Sequence, residues 1–126
     1  MKVLTTGGAG HISSTVASAR IDFAITPVVL DNLSTGNAEF VEDRIFYRSD
    51  IADTELDRRI FAEHSDLDAA THCAALAAME ESVRGPLAYY RENVAKTAAS
   101  LENLIEIRPP AARPVLTIPV TLPPPR

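Results

Sequence analysis

Residues 3–13 read VLTTGGAGHIS, and residues 28–31 read VVLD. The first stretch begins as a short apolar strand and runs into a glycine-rich turn, whereas the second is an apolar strand that ends in an acid. A segment of helix length separates them. A strand, a glycine-rich turn, a helix and a strand with a terminal acid form the first βαβ unit of a dinucleotide-binding fold, so this part of the chain predicts both an architecture and a ligand class.

The glycine turn and the acid predict how that ligand is held. Gly7 permits the tight turn out of the strand, and Gly10 lets the backbone approach a pyrophosphate at the positive end of the next helix. Ser13 occupies the third position, where a small side chain lets the helix pack close to the strand. Asp31 can accept hydrogen bonds from ribose hydroxyls and repel a 2′-phosphate, which favours NAD over NADP. The alternative is that the glycines form a merely structural turn and that Asp31 is a solvated turn residue.

The rest of the chain continues the alternation of strands and helices. Strands are predicted at residues 2–5, 27–31, 45–47 and 67–75, and helices at residues 12–23, 54–63 and 87–107. This order predicts an α/β fold, namely a Rossmann-like doubly wound parallel sheet in a truncated form of about four to five strands.

The predicted helices have a cap and apolar residues at helical spacing. Thr54 is predicted to cap the second helix. In the first helix, the residues spaced for burial on one face are Ile12, Val16, Ala19 and Phe23. In the third helix, the corresponding residues are Val94, Leu101, Leu104 and Ile105.

The composition excludes several functions for a chain of 126 residues, a length that suits one small domain. A net charge of -5 without a basic cluster argues against nucleic acid as a partner. No apolar run reaches the roughly 18 residues of a membrane span, so no membrane partner is expected. The single cysteine, Cys73, rules out an internal disulfide and fits a reducing compartment, so we expect a cytoplasmic location.

Residues 108–126 differ from the rest because they hold seven of the nine prolines. Proline blocks helix interiors and removes hydrogen-bond donors from a sheet. We therefore divide the chain into residues 1–107, a partial NAD-binding domain, and residues 108–126, a proline-rich tail. Within the tail, residues 115–118 can form one further strand, and residues 123–125 a polyproline II or disordered end.

Three further polar residues lie at or just after the C-terminal ends of predicted strands. His72 and Cys73 are neighbours in a strand, where adjacent side chains point to opposite faces, so the imidazole cannot readily serve the thiol. A packed histidine and a buried cysteine are expected instead. Asp50 either contacts an adenine edge or caps the next segment. No histidine has the spacing of a metal ligand, so no metal site is predicted.

Several segments at a defined spacing resemble a known family. Residues 6–12 and 30–36 read TGGAGHI and LDNLSTG, and SDI, HCAA and ESV follow at residues 49–51, 72–75 and 81–83. Together they resemble the start of the UDP-glucose 4-epimerases, which belong to the extended short-chain dehydrogenase/reductase superfamily, and the likeness covers about residues 1–107. The resemblance implies an NAD-dependent isomerase of galactose metabolism that oxidises the C4 hydroxyl of a UDP-sugar and returns the hydride to the other face.

The resemblance also implies a set of cofactor-binding residues. Those at the pyrophosphate are Gly7, Gly10, His11 and Ile12. Those around the adenosine ribose are Asp31, Asn32, Leu33, Ser34, Thr35 and Gly36. Those beside the adenine are Asp50 and Ile51, and those along the nicotinamide half are Cys73, Ala74, Ala75 and Ala77. Asn93 marks the floor of the cleft.

The departures from the family concern the catalytic groups. The family uses a serine or threonine after the fifth strand and a Tyr-x-x-x-Lys helix, in which the tyrosine acts as base. This chain has tyrosines at 47, 89 and 90 and lysines at 2 and 96, and no tyrosine precedes a lysine by four residues. We therefore assign no catalytic residue and expect no epimerisation by this chain alone. A truncated and drifted sequence, frameshifted near residue 108, is one hypothesis, and the nucleotide sequence tests it.

Several alternatives stay open. The chain can be a non-catalytic module that binds NAD or forms a homodimer, since family dimers pack helices from this region, including the one that resembles residues 87–107. It can also be a fragment of another nucleotide-sugar dehydratase, decarboxylase or epimerase. A vestigial product without a ligand is credible because Ser13, Ala24 and Ser49 stand where the family has glycine, and alanine is poor in a left-handed helix end.

Overall fold

Five parallel strands form the sheet of the computed structural model, which describes residues 1–107 and 116–117. The strand order is β3-β2-β1-β4-β5. The strands are β1 Lys2–Thr6, β2 Thr26–Asp31, β3 Ile45–Arg48, β4 Leu67–His72 and β5 Leu116–Thr117. The helices are α1 His11–Asp22, α2 Thr54–Glu63, α3 Met79–Arg84, α4 Pro86–Tyr90 and α5 Lys96–Ile107. A 3₁₀ turn at Ala38–Val41 precedes β3, and a π-helical turn at Arg91–Ala95 joins α4 to α5.

Hydrophobic clusters cover both faces of the sheet. Leu30 of β2 packs with Ile60 of α2 and Leu104 of α5. Val29 packs with Val41 on the opposite face, because neighbouring residues of a strand point to opposite sides. This arrangement confirms the predicted Rossmann-like, doubly wound parallel sheet.

The prediction for the buried face of α1 is wrong. Its four predicted apolar residues are exposed, Ile12 by 41% and Phe23 by 80%. They are Ile12, Val16, Ala19 and Phe23. The residues that α1 buries are small, namely Ser13, Ser14 and Ala17. Small side chains let the helix axis approach the sheet, and the Ser13 and Ser14 hydroxyls donate to backbone carbonyls of the first turn and the glycine loop, which offsets the cost of burying them.

The cap of α2 and the end of β4 also differ from the predictions. Asp53 caps α2, not Thr54, because its Oδ1 accepts a hydrogen bond from the Leu56 amide at 3.1 Å. The predicted strand at 67–75 ends at His72, since the residues that follow leave the sheet for a loop.

The predicted helix at 87–107 is divided by the π-helical turn, and only part of its apolar set is buried. Leu104 is buried and Leu101 is half-buried, whereas Val94 and Ile105 are exposed by 60% and 58%. The extra residue of the π-helical turn shifts the helical register, so Val94 cannot share one buried face with Leu101 and Leu104; Ile105 lies after the turn, and its exposure has no such explanation.

The C-terminal end of α1 contains an alanine in the left-handed region. Ala24 has a φ of 59°, and its amide donates to the Ile21 carbonyl at 3.0 Å while the Ile25 amide donates to the Arg20 carbonyl at 2.9 Å. These two hydrogen bonds form a Schellman motif, for which glycine is the usual residue.

The tail is described in part. Leu116 and Thr117 pair with Ala70 and Thr71 of β4. The remainder of the proposed strand at 115–118 and the proposed polyproline end at 123–125 lie outside the described residues. Within the described part of the chain, no helix has both the length and the apolar character needed to cross a bilayer.

Candidate functional site

A cleft lies at the edge of the sheet where the four long strands end. In doubly wound sheets this is the edge at which ligands bind. The residues that line it are Gly7, Gly10, Asp31, Asn32, Ser34, Thr35, Gly36, Ser49, Asp50, Ile51, Cys73, Ala74, Ala75, Leu76 and Glu92. They lie at or just after the ends of β1, β2, β3 and β4, with one residue from the π-helical turn, so the topology brings together segments that are far apart in sequence.

The turn after β1 depends on Gly7. Its φ is 70°, and a Cβ atom there would lie 2.6 Å from the Ala74 nitrogen, which is closer than atoms can pack. Its amide donates to the Leu30 carbonyl at 2.8 Å. Gly7 therefore lets the loops after β1 and β4 touch, and this contact shapes the floor of the cleft.

The N-terminus of α1 opens at the cleft. Gly10 is the residue before the helix, and no side chain caps the first turn. Helix N-termini present backbone N–H groups and a positive dipole to an anion. Ser13 fits this turn without disrupting it, because its Oγ donates to the Gly7 carbonyl at 2.5 Å. The hydroxyl thus ties the helix to the glycine turn where a glycine would leave space.

Asp31 is held by two backbone amides. Its Oδ2 accepts from Ala9 at 3.0 Å, and its Oδ1 accepts from Leu33 at 2.8 Å. The residue is only 8% exposed, so it is not the solvated turn aspartate of the alternative interpretation. Each carboxylate oxygen can accept a second hydrogen bond, so the group keeps capacity for a hydroxyl donor in the cleft.

Asp50 belongs to an ionic cluster at the cleft wall. Its Oδ1 accepts from the Ala52 amide at 2.8 Å, and its Oδ2 accepts from the Lys96 ammonium. The same ammonium lies 2.8 Å from Glu92 Oε1. Burial would raise the pKa of Asp50, but the hydrogen bonds from Lys96 and Ala52 hold it below its ordinary value. Asp50 therefore meets the cleft as a carboxylate.

Asn93 supports the cleft from behind. Its Oδ1 accepts from the Leu76 amide and its Nδ2 donates to the Leu76 carbonyl, both at 2.8 Å. Asn93 lies in the π-helical turn, a feature that often marks functional positions. The amide side chain clamps the loop after β4, so it sets the position of the wall without lining the cleft.

His72 and Cys73 do not form a nucleophile and base. His72 is buried, and its two ring nitrogens bond to the hydroxyls of Thr6 at 2.7 Å and Thr97 at 3.0 Å. The expectation of a packed histidine is confirmed. Cys73 is only half-buried and lines the cleft, contrary to the expected buried cysteine. Burial raises the pKa of its thiol, against the opposing charge of Arg20, so the sulfur stays protonated.

Most of the predicted cofactor residues line this cleft, but five do not. Those that lie outside its lining are His11, Ile12, Leu33, Ala77 and Asn93. Three lining residues were missed, namely Ser49, Leu76 and Glu92. Ser49 precedes the predicted Asp50, and Glu92 lies four residues before Lys96, a spacing that signals an ion pair on a helix. Within the described residues, no group of three or more potential metal-ligating side chains occurs.

Comparison with known proteins agrees with this architecture. The sequence profile of the NAD dependent epimerase/dehydratase family matches residues 3–110. The chain belongs to this family. It is 40% identical over 106 residues to the UDP-glucose 4-epimerase of Halalkalibacterium halodurans, a match that covers 84% of this chain and 31% of that protein.

Solved structures of family members superimpose on the chain. The UDP-glucose 4-epimerase of Thermotoga maritima, solved with UDP-glucose, matches with a TM-score of 0.80 at 33% identity over 92% of this chain and 37% of the other. The enzyme of Brucella ovis in complex with NAD matches with a TM-score of 0.78 at 37% identity over 84% of this chain and 32% of the other. The chain thus spans about a third of the length of the relatives it matches.

Proposed function

We propose that this chain is the NAD-binding portion of a UDP-glucose 4-epimerase-like protein. The observation that carries the proposal is the buried Asp31 carboxylate, which two backbone amides hold beside the glycine turn and the open N-terminus of α1. A dinucleotide needs donors for its pyrophosphate and an acceptor for its ribose hydroxyls, and this edge of the sheet offers both. When bound, NAD supplies a reversible hydride acceptor.

The cleft residues suit successive parts of the dinucleotide. The amides after Gly10 suit the pyrophosphate, and Asp31 suits the ribose hydroxyls. Asp50 and Ile51 suit the adenine, and the small side chains of Ala74 and Ala75 leave space for the nicotinamide half. His11, Ile12, Leu33 and Ala77 remain proposed contacts that a bound cofactor would have to reach from outside the cleft lining, and Asn93 acts through Leu76.

The test is a comparison of NAD and NADP binding by calorimetry. We expect micromolar NAD binding with a raised melting temperature, and much weaker NADP binding because Asp31 repels the 2′-phosphate. Asp31→Asn should narrow that preference at least severalfold. Asp22→Asn, which neutralises an exposed acid at the far end of α1, should leave it unchanged. Failure of a cooperatively folded chain to bind NAD would mean that the chain keeps the fold but has lost the binding site, and it would contradict the proposal.

We also propose that the chain does not epimerise UDP-sugars alone. Its sequence contains no tyrosine followed by a lysine four residues later, and that pair supplies the base in the enzymes it resembles. The UDP-sugar substrate, the role in galactose metabolism and the cytoplasmic location are proposals that rest on the similarity. Conversion of UDP-galactose to UDP-glucose by the purified chain would contradict the inactivity.

A second candidate function is homodimerisation through α3, α4 and the π-helical turn. Four apolar residues there are exposed by 60 to 80%, namely Val83, Leu87, Tyr90 and Val94. Exposed apolar residues on successive helical segments are typical of a protein interface, and we propose a second copy of the chain as the partner.

Light scattering during size-exclusion chromatography tests the dimer. We expect a dimer for the wild-type chain and a monomer for Val83→Glu. Phe23→Glu is the matched control, because Phe23 is equally exposed but lies at the end of α1, outside the proposed interface. A wild-type monomer at high concentration, or the same dimer in both variants, would contradict the proposal.

A further inference from the structure

The cleft is acidic, which is unfavourable for a pyrophosphate. Asp31, Asp50 and Glu92 line it, and its lining within the described part of the chain includes no lysine, arginine or histidine. Like charges at this range repel an anionic ligand, although water and salt weaken the repulsion. A counter-charge close behind the wall therefore favours an anionic nucleotide, in addition to the positive end of α1.

Lys96 is placed to provide that charge. It is the first residue of α5, and its ammonium bonds to Asp50 and to Glu92, which lies one helical turn earlier. These are two of the three cleft carboxylates. The second oxygen of Asp50 is occupied by the Ala52 amide, so the side chain of Asp50 is fixed from two directions.

We propose that Lys96 is a positioning residue that neutralises the cleft wall and thereby admits an anionic nucleotide. This inference rests on the proposed function. Lys96 acts through Asp50 and Glu92 and does not line the cleft itself. The hydrogen bonds that Lys96 donates to the Asp50 and Glu92 carboxylates raise the pKa of Lys96, so its charge persists over the physiological range.

Neutralisation predicts an effect that grows with the charge of the ligand. Adenosine is neutral. NAD carries a pyrophosphate that is partly balanced by the positive pyridinium ring of its nicotinamide, and ADP-ribose carries the pyrophosphate without that cation. For Lys96→Met, which keeps an apolar side chain of similar length, we expect the smallest loss for adenosine, about threefold weaker NAD binding and about tenfold weaker ADP-ribose binding. The losses should shrink as the salt concentration rises.

Two further variants separate charge from structure. Lys96→Arg keeps the charge, so its affinities for the three ligands should be close to those of the wild type. Lys2→Met changes the net charge of the chain by the same amount. Lys2 pairs with Asp66 at the N-terminal ends of the strands, opposite the cleft, so the affinities should not change. Circular dichroism and thermal unfolding of each variant establish that the measured protein is folded.

The outcomes distinguish this inference from the proposed function. Equal losses for adenosine and ADP-ribose would show that Lys96 has only a structural role, and tighter binding by Lys96→Met would show that Lys96 obstructs the cleft. Either result overturns the inference while the wild-type chain still binds NAD. If the wild-type chain binds none of the three ligands, the proposed function is wrong, and Lys96 has no ligand to admit.

Discussion

Two buried acids, Asp31 in the cleft and Asp57 between α2 and α5, differ in the hydrogen bonds that their carboxyl groups receive. Asp31 is 8% exposed and receives two backbone amides. Asp57 is 2% exposed, and its hydrogen bond in the described structure comes from the side-chain amide of Asn103 at 3.0 Å. Burial raises the pKa of Asp57 to about 6, although Asn103 opposes the shift. The structure thus stabilises an acid where a ligand could use it, and tolerates one where it only costs stability.

We expect the largest loss of stability from a substitution in the backbone turn of the cleft. Gly7→Ala would place a methyl group 2.6 Å from the Ala74 nitrogen in a left-handed conformation. We expect a loss of about 3 to 5 kcal/mol in the free energy of unfolding, measured by urea denaturation. Gly85→Ala is the control, since the nearest atom to its new methyl group lies 3.7 Å away. Similar losses in both variants would show that the close approach at Gly7 is unimportant.

Asparagine at the two acids should have effects of opposite sign. In Asp31→Asn, one of the two backbone donors would face the new NH₂ group, because an amide has one acceptor oxygen. We expect this variant to lose about 2 kcal/mol of unfolding free energy. Denaturation at neutral pH measures it, and a stabilised variant would mean that the carboxylate is as costly at the cleft as it is between the helices.

Asp57→Asn should instead stabilise the protein at neutral pH. Its pKa is raised in the folded state, so the folded wild-type chain binds more protons than the unfolded chain between about pH 4 and pH 6. The contribution of Asp57 to stability therefore falls as the pH rises through this window. Asn103 can donate to an asparagine oxygen equally well, so we expect a gain of about 1 to 2 kcal/mol at pH 7.

The pH dependence distinguishes this cause from a local packing change. The difference in unfolding free energy between Asp57→Asn and the wild type should decline as the pH falls from about 6 to about 4, because Asp57 becomes protonated in the folded protein first and in the unfolded chain last. Acid also weakens the protein by protonating Asp50, whose pKa is lowered, but that effect is common to both chains. A difference that does not vary with pH would contradict the assignment.

The sequence predicts the cleft better than it predicts the helix faces. Gly7 and Asp31 are constrained by local geometry, a tight turn and a strand end, and such constraints appear as short motifs. The buried face of α1 depends on how closely the helix approaches the sheet, and apolar spacing does not report that distance. Asp50 and Lys96 are 46 residues apart, so only the fold reveals that they bond.

We expect the smallest changes in stability from substitutions in α1 and at its far end. At the cleft end the left-handed residue is Gly7, whereas at the far end it is Ala24, with a φ of 59°. Alanine is strained there because its Cβ crowds the backbone, so Ala24→Gly should gain about 1 kcal/mol despite the greater freedom of glycine in the unfolded chain. Ala19→Gly, on the exposed side of the same helix, should lose about 1 kcal/mol because glycine is a poor helix former. Thermal denaturation of the pair measures both effects. A loss of stability in both variants would show that the left-handed conformation at Ala24 is not strained. The far end of α1 would then accept alanine in a left-handed conformation, whereas the cleft end requires glycine.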